Sequence, residues 1–303
     1  LLQAVHPADV ASTQGTGFGG MESMRKMFVG RFLNEERPSD ILQEALPNVV
    51  AAHVMQSFIG GYGSMVQPVS ACATAAVSIE EGWDKIALGK AQVVVAGAID
   101  DISVESVVGF GNMNATAEAA AMKAKGISPR HFSRANDRRR GGFVEAQGGG
   151  TVILARGDVA AKLGLPVAAV LGFVSSYADG AHTSIPAPGL GALAAGRGGS
   201  NSRLAKSLAK LGVEADDIAV VSKHDTSTGA NDPNESELHT RLAKALGRSE
   251  GNPLVAVSQK TITGHAKGGA AVFQVAGLTE ILATGVAPGN ASLDCVDIKL
   301  KKD

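Results

Sequence analysis

Short apolar runs alternate along the chain with longer segments of helical periodicity, and glycine-rich turns separate them. The run at residues 93–97 is short and continuously apolar, which is typical of a strand buried on both faces. Before it, an extended stretch at 65–69 turns at 70–72 into an alanine-rich helix that we expect to reach about Leu88. This alternation of strands and helices predicts an α/β fold.

A second strand–loop–helix unit begins with a strand at 218–222, continues through the polar loop 223–233 and ends in a helix. Leu238, Leu242 and Leu246 share one face of that helix at four-residue spacing. The unit repeats the order of the first one and therefore supports the same fold class.

A third unit contains a strand at 254–257, the loop 258–265 and a helix from about Gly269 to Ala283. That helix is apolar on most faces, so we expect it to be buried on all sides. A further strand is predicted at 151–154, and the glycines at 148–150 before it indicate close backbone packing. A change in composition near residue 156 predicts two halves, 1–155 and 156–303.

Composition limits the classes of function. The chain has 303 residues, 28 Lys and Arg against 29 Asp and Glu, and a net charge of −1, which excludes nucleic-acid or membrane binding driven by bulk charge. Prolines and glycines interrupt the uncharged stretch 45–79, so we expect a buried segment rather than a membrane span. With 38 glycines and 4% aromatic residues, the core is expected to consist of small side chains at close backbone approaches.

Two cysteines are too few for a disulfide framework, and no zinc-binding spacing occurs, so we expect a cytoplasmic protein without a metal. Cys72 stands where an extended segment gives way to a helix. Unpaired backbone N–H groups and the helix dipole lower a thiol pKa there and favour the nucleophilic thiolate. The alternative is a buried, inert cysteine, which is also our interpretation of Cys295.

His224 and His265 each follow a short apolar strand in a loop that opens a helix, which is where ligand sites gather in open α/β sheets. Either residue alone is more often structural, but two in similar loops favour a site. Lys260 precedes His265 by five residues and could supply positive charge to a reacting centre or be solvated.

Two other motifs receive structural interpretations. The Asp-Arg-Arg-Arg run at 137–140 is typical of a solvated or salt-bridged turn, and three arginines in one loop are only a weak indication of a phosphate site. The segment 15–20, GTGFGG, is followed by no Gly-Lys-Ser/Thr and preceded by no clear strand, so we do not expect it to bind a nucleotide.

Four motifs occur in a specific order and resemble the β-ketoacyl synthase domain of large type I fatty acid synthases of the fungal and actinobacterial kind. They are VSACATA around Cys72, FVEAQGGG at 143–150, HDTSTGAND at 224–232 and KTITGHAKGG at 260–269. The segments at 15–28 and 110–116 resemble the multienzyme branch in particular. The resemblance covers nearly the whole chain.

The resemblance implies the thiolase fold, a duplicated five-layer α-β-α-β-α sandwich that usually forms dimers. Relatives have a longer segment before the cysteine and a Gly-Phe-Gly-Gly loop that would follow Asp303, so we expect a domain that is incomplete at both ends.

The resemblance also assigns roles. Cys72 would accept the acyl group, His224 and His265 would handle the malonyl thioester, and Lys260 would support His265 electrostatically. Residues expected to contact the substrate are Thr226 and Thr228 in the pantetheine channel, and Gly17, Phe18 and Leu46 in the acyl pocket. For Phe18 and Leu46, ordinary core packing is the alternative.

The implied reaction is decarboxylative Claisen condensation of acyl-Cys72 with a malonyl group on the phosphopantetheine arm of an acyl carrier protein, which extends the chain by two carbons. No other cofactor is expected. Expected partners are the carrier protein and the other domains of the synthase. Two alternatives remain: a non-catalytic scaffold of the same fold, which would usually lack the cysteine, and a thiolase, in which Cys295 would have to act.

Two positions depart from the pattern of relatives. Asp225 stands where many have Gly, and we expect its carboxylate to raise the pKa of His224. Gln274 stands where many single-domain synthases have Glu.

Overall fold

The computed structural model describes residues 3–34, 36, 39–60, 63–180 and 191–300. The strands in this part of the chain are β1 (Val10–Gly15), β2 (Val93–Asp100), β3 (Gly148–Ala155), β4 (Val220–Ser222) and β5 (Val255–Val257). The α-helices are α1 (Met21–Leu33), α2 (Ile41–Ala45), α3 (Val49–Val54), α4 (Thr74–Ala87), α5 (Val104–Asn112), α6 (Ala119–Ala124), α7 (Gly157–Leu163), α8 (Arg203–Lys210), α9 (Asn231–Ala245), α10 (Lys260–Thr263) and α11 (Ala270–Thr284).

β2 is the central strand of the first sheet. β1 runs parallel to one of its edges and β3 antiparallel to the other. Every residue of β2 except Ile99 is buried, which confirms the prediction of a strand covered on both faces.

β1 is a strand that the sequence did not predict. We expected no strand before the glycine-rich segment 15–20, and this is wrong, because β1 ends at Gly15. All six residues of β1 are buried although three are polar. The Thr13 hydroxyl donates to the Ser78 carbonyl at 2.7 Å, and the Gln14 amide donates to the Gly150 carbonyl at 3.2 Å. Satisfied hydrogen bonds therefore let polar side chains occupy core positions.

Small side chains bring α4 close to the sheet. α4 buries Thr74, Ala75, Ser78, Ile79 and Gly82, which recur at helical spacing. A Cβ atom on Gly82 would lie 3.1 Å from a methyl carbon of Val94 and 2.9 Å from one of Leu154. A core of small side chains at close approach, as composition indicated, is therefore present.

The glycines of β3 also allow close backbone packing. A Cβ atom on Gly149 would overlap the Ala98 carbonyl oxygen and approach Cα of Ile99. The close packing predicted from the glycine run at 148–150 is confirmed.

The second sheet contains β4 and β5, which are parallel, with Val220 opposite Val255. The loop at the carboxyl end of β4 leads to α9, as the second sequence unit predicted. After β5, the short helix α10 lies inside the stretch 258–265 that was predicted to be a loop, and α11 is the helix predicted from about Gly269. The prediction that α11 is buried on all sides is wrong. Only Ala270 and Val272 of α11 are buried, and Leu282 is 70% exposed, because apolar composition does not by itself determine burial.

Two compact units share the chain. The first comprises Leu1–Val108, Ala146–Ala168 and Ala266–Ala276, and the second comprises Gly109–Glu145, Ala169–His265 and Gly277–Asp303. The predicted boundary between 1–155 and 156–303 stays a prediction. Within the described ranges, no helix has the length and apolarity required to cross a membrane.

Replacing Gly149 by Ala is expected to lower the free energy of unfolding by about 1–3 kcal/mol, because the added methyl group meets immobile backbone atoms of β2. The matched control is Gly109→Ala in α5, where a Cβ atom has open space and alanine favours the helix. Chemical denaturation measures both variants. Equal unfolding free energies for the two would contradict the packing described for β2 and β3.

Candidate active site

Cys72 lies in the 3-10 turn Ala71–Ala73, directly before the 14-residue helix α4, and is half-buried. Ala71 has a φ of +47°, a left-handed conformation that is rare for residues other than glycine. The Thr74 hydroxyl holds this turn, because it accepts from the Ser70 amide at 2.9 Å and donates to the Ala71 carbonyl at 2.7 Å. Cys72 therefore stands at the positive end of a helix dipole, where a thiolate is favoured.

The segment 16–20, which contains Gly17 and Phe18, lies beside the segment that contains Leu46. A Cβ atom on Gly19 would be 3.3 Å from Pro47 Cγ, which shows how close these two segments are. Leu46 is 47% exposed at the C-terminus of α2, so core packing does not explain it. The assignment of Gly17, Phe18 and Leu46 to an acyl pocket stays a prediction.

In the second compact unit, two contacts join the Lys260 ammonium group to His224. Its side chain is 2% exposed, and Nζ lies 3.1 Å from His224 Nδ1 and donates to the His224 carbonyl oxygen at 2.5 Å. The Ser133 hydroxyl fixes the backbone of Lys260 by donating to its carbonyl at 2.7 Å. Because an ammonium group has only donors, Nδ1 of His224 is the acceptor and Nε2 carries the proton of the neutral ring.

Burial, and after it the positive charge of Lys260, lower the pKa of His224 to about 3, and the opposing effect of Glu235 is weaker. His224 is therefore neutral at physiological pH. The expectation that Asp225 raises this pKa is wrong. The Asp225 carboxylate is instead occupied by Lys223 Nζ at 2.8 Å and Asn136 Nδ2 at 2.8 Å.

Glu235 on α9 is a site residue that sequence reasoning missed. Its carboxylate accepts from the backbone amides of His224 at 2.5 Å and Asp225 at 2.8 Å. Burial acts to raise the pKa of Glu235, but His239, His224 and Lys223 outweigh it and hold the pKa well below the usual range. The anionic carboxylate thus anchors the backbone on both sides of His224. Its signal in sequence is an acid in the second turn of the helix after the His224 loop.

His265 is 1% exposed and lies against two rings. Its ring meets Phe143 edge-to-face at a centroid distance of 4.8 Å and His224 at 5.3 Å. Its backbone amide donates to the Val144 carbonyl at 2.8 Å. The second unit therefore brings together His224, His265 and Lys260, which the sequence predicted as neighbours in one site.

The two threonines of the His224 loop are adjacent. Thr226 Oγ1 and Thr228 Oγ1 are 2.9 Å apart, and Thr228 Oγ1 accepts from the Asn231 amide at the start of α9 at 3.0 Å. Thr226 is buried and Thr228 half-buried. Their assignment to a pantetheine channel stays a prediction.

The arginine run after Asp137 is a salt-bridged turn, as predicted. Asp137 is fully buried and pairs with Arg134 Nε at 3.1 Å, while Arg140 pairs with Asp232 at 3.4 Å and with Asp297 at 2.7 Å. Arg139 and Arg140 of the run, and Arg134 before it, therefore have carboxylate partners.

Left-handed backbone is concentrated at these residues. Among the described residues, seven other than glycine have positive φ, and three of those are asparagines, which tolerate this region. The other four are Ala71, Asp225, Ser227 and Lys267. Each is within two positions of Cys72, His224, Thr226 or His265. Such conformations cost about 1–3 kcal/mol each and cluster at functional sites.

Known proteins that are similar to this chain identify its family. The family profile for the N-terminal domain of β-ketoacyl synthases matches residues 3–160, and the profile for the C-terminal domain matches residues 167–294. The chain belongs to the β-ketoacyl synthase family. It is 38% identical over 302 residues to fatty acid synthase 2 of Mycosarcoma maydis and 32% identical over 382 residues to the fatty acid synthase subunit alpha of Saccharomyces cerevisiae.

These matches cover 99% and 98% of this chain but only 8% and 20% of the two relatives, so the chain spans a small part of their length. Among solved structures, the ketosynthase FabY of P. aeruginosa has a TM-score of 0.87 at 25% identity, over 98% of this chain and 47% of that one. A β-ketoacyl synthase from Burkholderia phymatum, at 24% identity, has a TM-score of 0.81 over 98% of this chain and 68% of its own, and shares the fold. The prediction of a thiolase-like α/β fold is thus confirmed.

The lowered pKa of His224 predicts how stability depends on pH. The unfolded chain takes up a proton at this residue below the ordinary histidine pKa of 6.5, whereas the folded chain does so only near 3, so acidification favours unfolding between these values. Between about pH 7 and about pH 5, the wild-type chain is expected to lose about 1–2 kcal/mol more unfolding free energy than His224→Asn. Denaturation at both pH values measures the difference. An equal loss in the two proteins would show that His224 is not held neutral by the fold.

Proposed function

We propose that this chain catalyses the decarboxylative Claisen condensation of fatty acid synthesis, in which an acyl group on Cys72 is extended by a malonyl unit from an acyl carrier protein. Membership of the β-ketoacyl synthase family and similarity to fatty acid synthase subunits support this reaction. The observation that carries the proposal is the contact between Lys260 Nζ and His224 Nδ1, because it determines which nitrogen of His224 can donate.

In the first step, the Cys72 thiolate attacks the carbonyl carbon of an acyl thioester on the phosphopantetheine arm. The tetrahedral intermediate has a negative oxygen, and N–H donors stabilise it until the pantetheine thiolate leaves. The turn at Ala71–Ala73 supports this step because it presents the sulfur at the N-terminus of α4.

In the second step, the malonyl thioester loses its carboxylate as CO₂, and the electron pair of the broken bond moves into the thioester as an enolate. The Nε2–H of neutral His224 and an N–H of His265 stabilise the oxygen of this enolate, and neither imidazole has to remove a proton. Burial, and after it the positive charge of Lys260, keep His224 neutral. The same charge would stabilise the developing anion.

In the third step, the enolate carbon attacks the carbonyl of acyl-Cys72. A C–C bond forms, the bond to sulfur breaks, and Cys72 returns as the thiolate. The product is a β-ketoacyl thioester that is two carbons longer and remains on the carrier protein.

The proposed roles of the other residues follow from this sequence of steps. Thr226 and Thr228 would line the pantetheine channel, and Gly17, Phe18 and Leu46 would line the acyl pocket. The carrier protein and further synthase domains would be the partners, with a dimeric ketosynthase acting in the cytoplasm within a larger homo-oligomer. The relatives named as fatty acid synthases support a multidomain setting.

Two half-reactions, acyl transfer to Cys72 and decarboxylation of the malonyl thioester, can be measured separately in the full natural polypeptide that carries this sequence. We expect different mutations to abolish or slow each of them. Cys72→Ala should abolish transfer of a labelled acyl group and retain decarboxylation of malonyl thioester. His224→Ala and His265→Ala should retain acyl transfer and reduce decarboxylation by about 100-fold or more, since each removes a donor to the enolate oxygen.

The matched control is Cys295→Ser, which changes the other free cysteine and should leave both half-reactions unaltered. Acyl transfer is measured by retained label and decarboxylation by released CO₂. Condensation at the wild-type rate by Cys72→Ala would exclude the proposed function.

A further inference from the structure

Asp100, at the carboxyl end of β2, is a buried carboxylate that sequence reasoning did not assign. It is 4% exposed, and no lysine, arginine or histidine in the described part of the chain forms an ion pair with it. Its Oδ1 accepts from Thr16 Oγ1 at 2.7 Å, from the Gly17 amide at 2.9 Å and from the Phe18 amide at 3.2 Å. Its Oδ2 accepts from the Gly268 amide at 2.6 Å. Oriented N–H and O–H dipoles therefore hold this charge in place of a cation.

Both glycines that bind Asp100 are required by this arrangement. A Cβ atom on Gly17 would lie 2.7 Å from Asp100 Oδ2, and a Cβ atom on Gly268 would lie at the same distance from it. Side chains at either position would displace the carboxylate. The Asp100 carboxylate thus links the backbone segment that contains Gly17 to the one that contains Gly268.

The segments joined by Asp100 lie against the turn that carries Cys72. A Cβ atom on Gly17 would be 3.2 Å from the Ala71 carbonyl oxygen, and one on Gly268 would be 3.2 Å from Thr74 Cβ. One segment thus borders Ala71 and the other borders Thr74, which holds the turn, and one buried carboxylate fixes the position of both segments.

We propose that Asp100 is a positioning residue for acyl transfer to Cys72. It does not touch the reacting atoms. It holds the segments at 16–18 and 268 against the turn, so that the sulfur and the neighbouring N–H donors keep the geometry that the transfer requires. This inference rests on the proposed function, because it assumes that Cys72 accepts the acyl group.

Asp100→Asn replaces one acceptor oxygen by an NH₂ group that faces backbone N–H donors. We expect the single-turnover rate of acyl transfer to Cys72 to fall by about 10- to 100-fold, since small displacements of reacting groups have effects of this size. Decarboxylation of malonyl thioester, assigned to His224 and His265, should be unchanged. A residue that only stabilises the fold would affect both half-reactions alike.

The experiment uses the full natural polypeptide and a radiolabelled acyl-pantetheine thioester as the probe. Asp101→Asn is the control, because Asp101 is the exposed neighbour of Asp100. Thr16→Val removes one donor to Asp100 and should slow acyl transfer, whereas Thr16→Ser keeps the hydroxyl and should restore it. If Asp100→Asn does not fold, as judged by thermal denaturation, the two Thr16 variants decide the question.

Acyl transfer at the wild-type rate in folded Asp100→Asn, or in Thr16→Val, would overturn the assignment, as would an equal loss of both half-reactions. The proposed function fails separately. If the wild-type polypeptide takes up no label on Cys72, both proposals fall. If Cys72 is labelled at equal rates in wild type, Asp100→Asn and Thr16→Val, only the role of Asp100 is removed.

Discussion

Left-handed backbone at residues other than glycine is the constraint on which the proposed site depends. Ala71, Asp225 and Ser227 adopt conformations that an unfolded chain seldom populates, and each one is held by hydrogen bonds. Thr74 binds the Ala71 carbonyl, and Glu235 binds the Asp225 amide. Because the turns are fixed before a substrate arrives, the groups they carry need little reorganisation during the reaction.

Buried charge is the means by which these turns are fixed. Glu235 and Asp100 are almost fully removed from water, yet each accepts several N–H bonds from the backbone of a loop. A buried carboxylate without partners would be strongly destabilising, so the charge and the loop conformation require each other. Lys260 is a buried cation, and its ammonium group adds to the effect of burial in lowering the pKa of the neighbouring His224.

The sequence predicted the groups proposed to act on the substrate better than the groups that hold them. Cys72, His224 and His265 stand in short motifs at strand ends, so local pattern and resemblance to a family were sufficient to select them. Asp100 binds Thr16 and Gly268, which are 84 and 168 positions away, and no local pattern contains such a pairing. The same limit explains the two errors in the fold: the polar residues of β1 are buried through distant partners, and α11 is apolar yet only partly buried.

Acyl transfer to Cys72 is the step from which the rest of the proposed chemistry follows, because the condensation needs an acyl group covalently held on the protein. The most direct test is to incubate the full natural polypeptide with a radiolabelled acyl thioester, digest it and identify the labelled peptide by mass spectrometry. We expect the label on the peptide that contains Cys72. Label on the peptide that contains Cys295, or no covalent label at all, would contradict it.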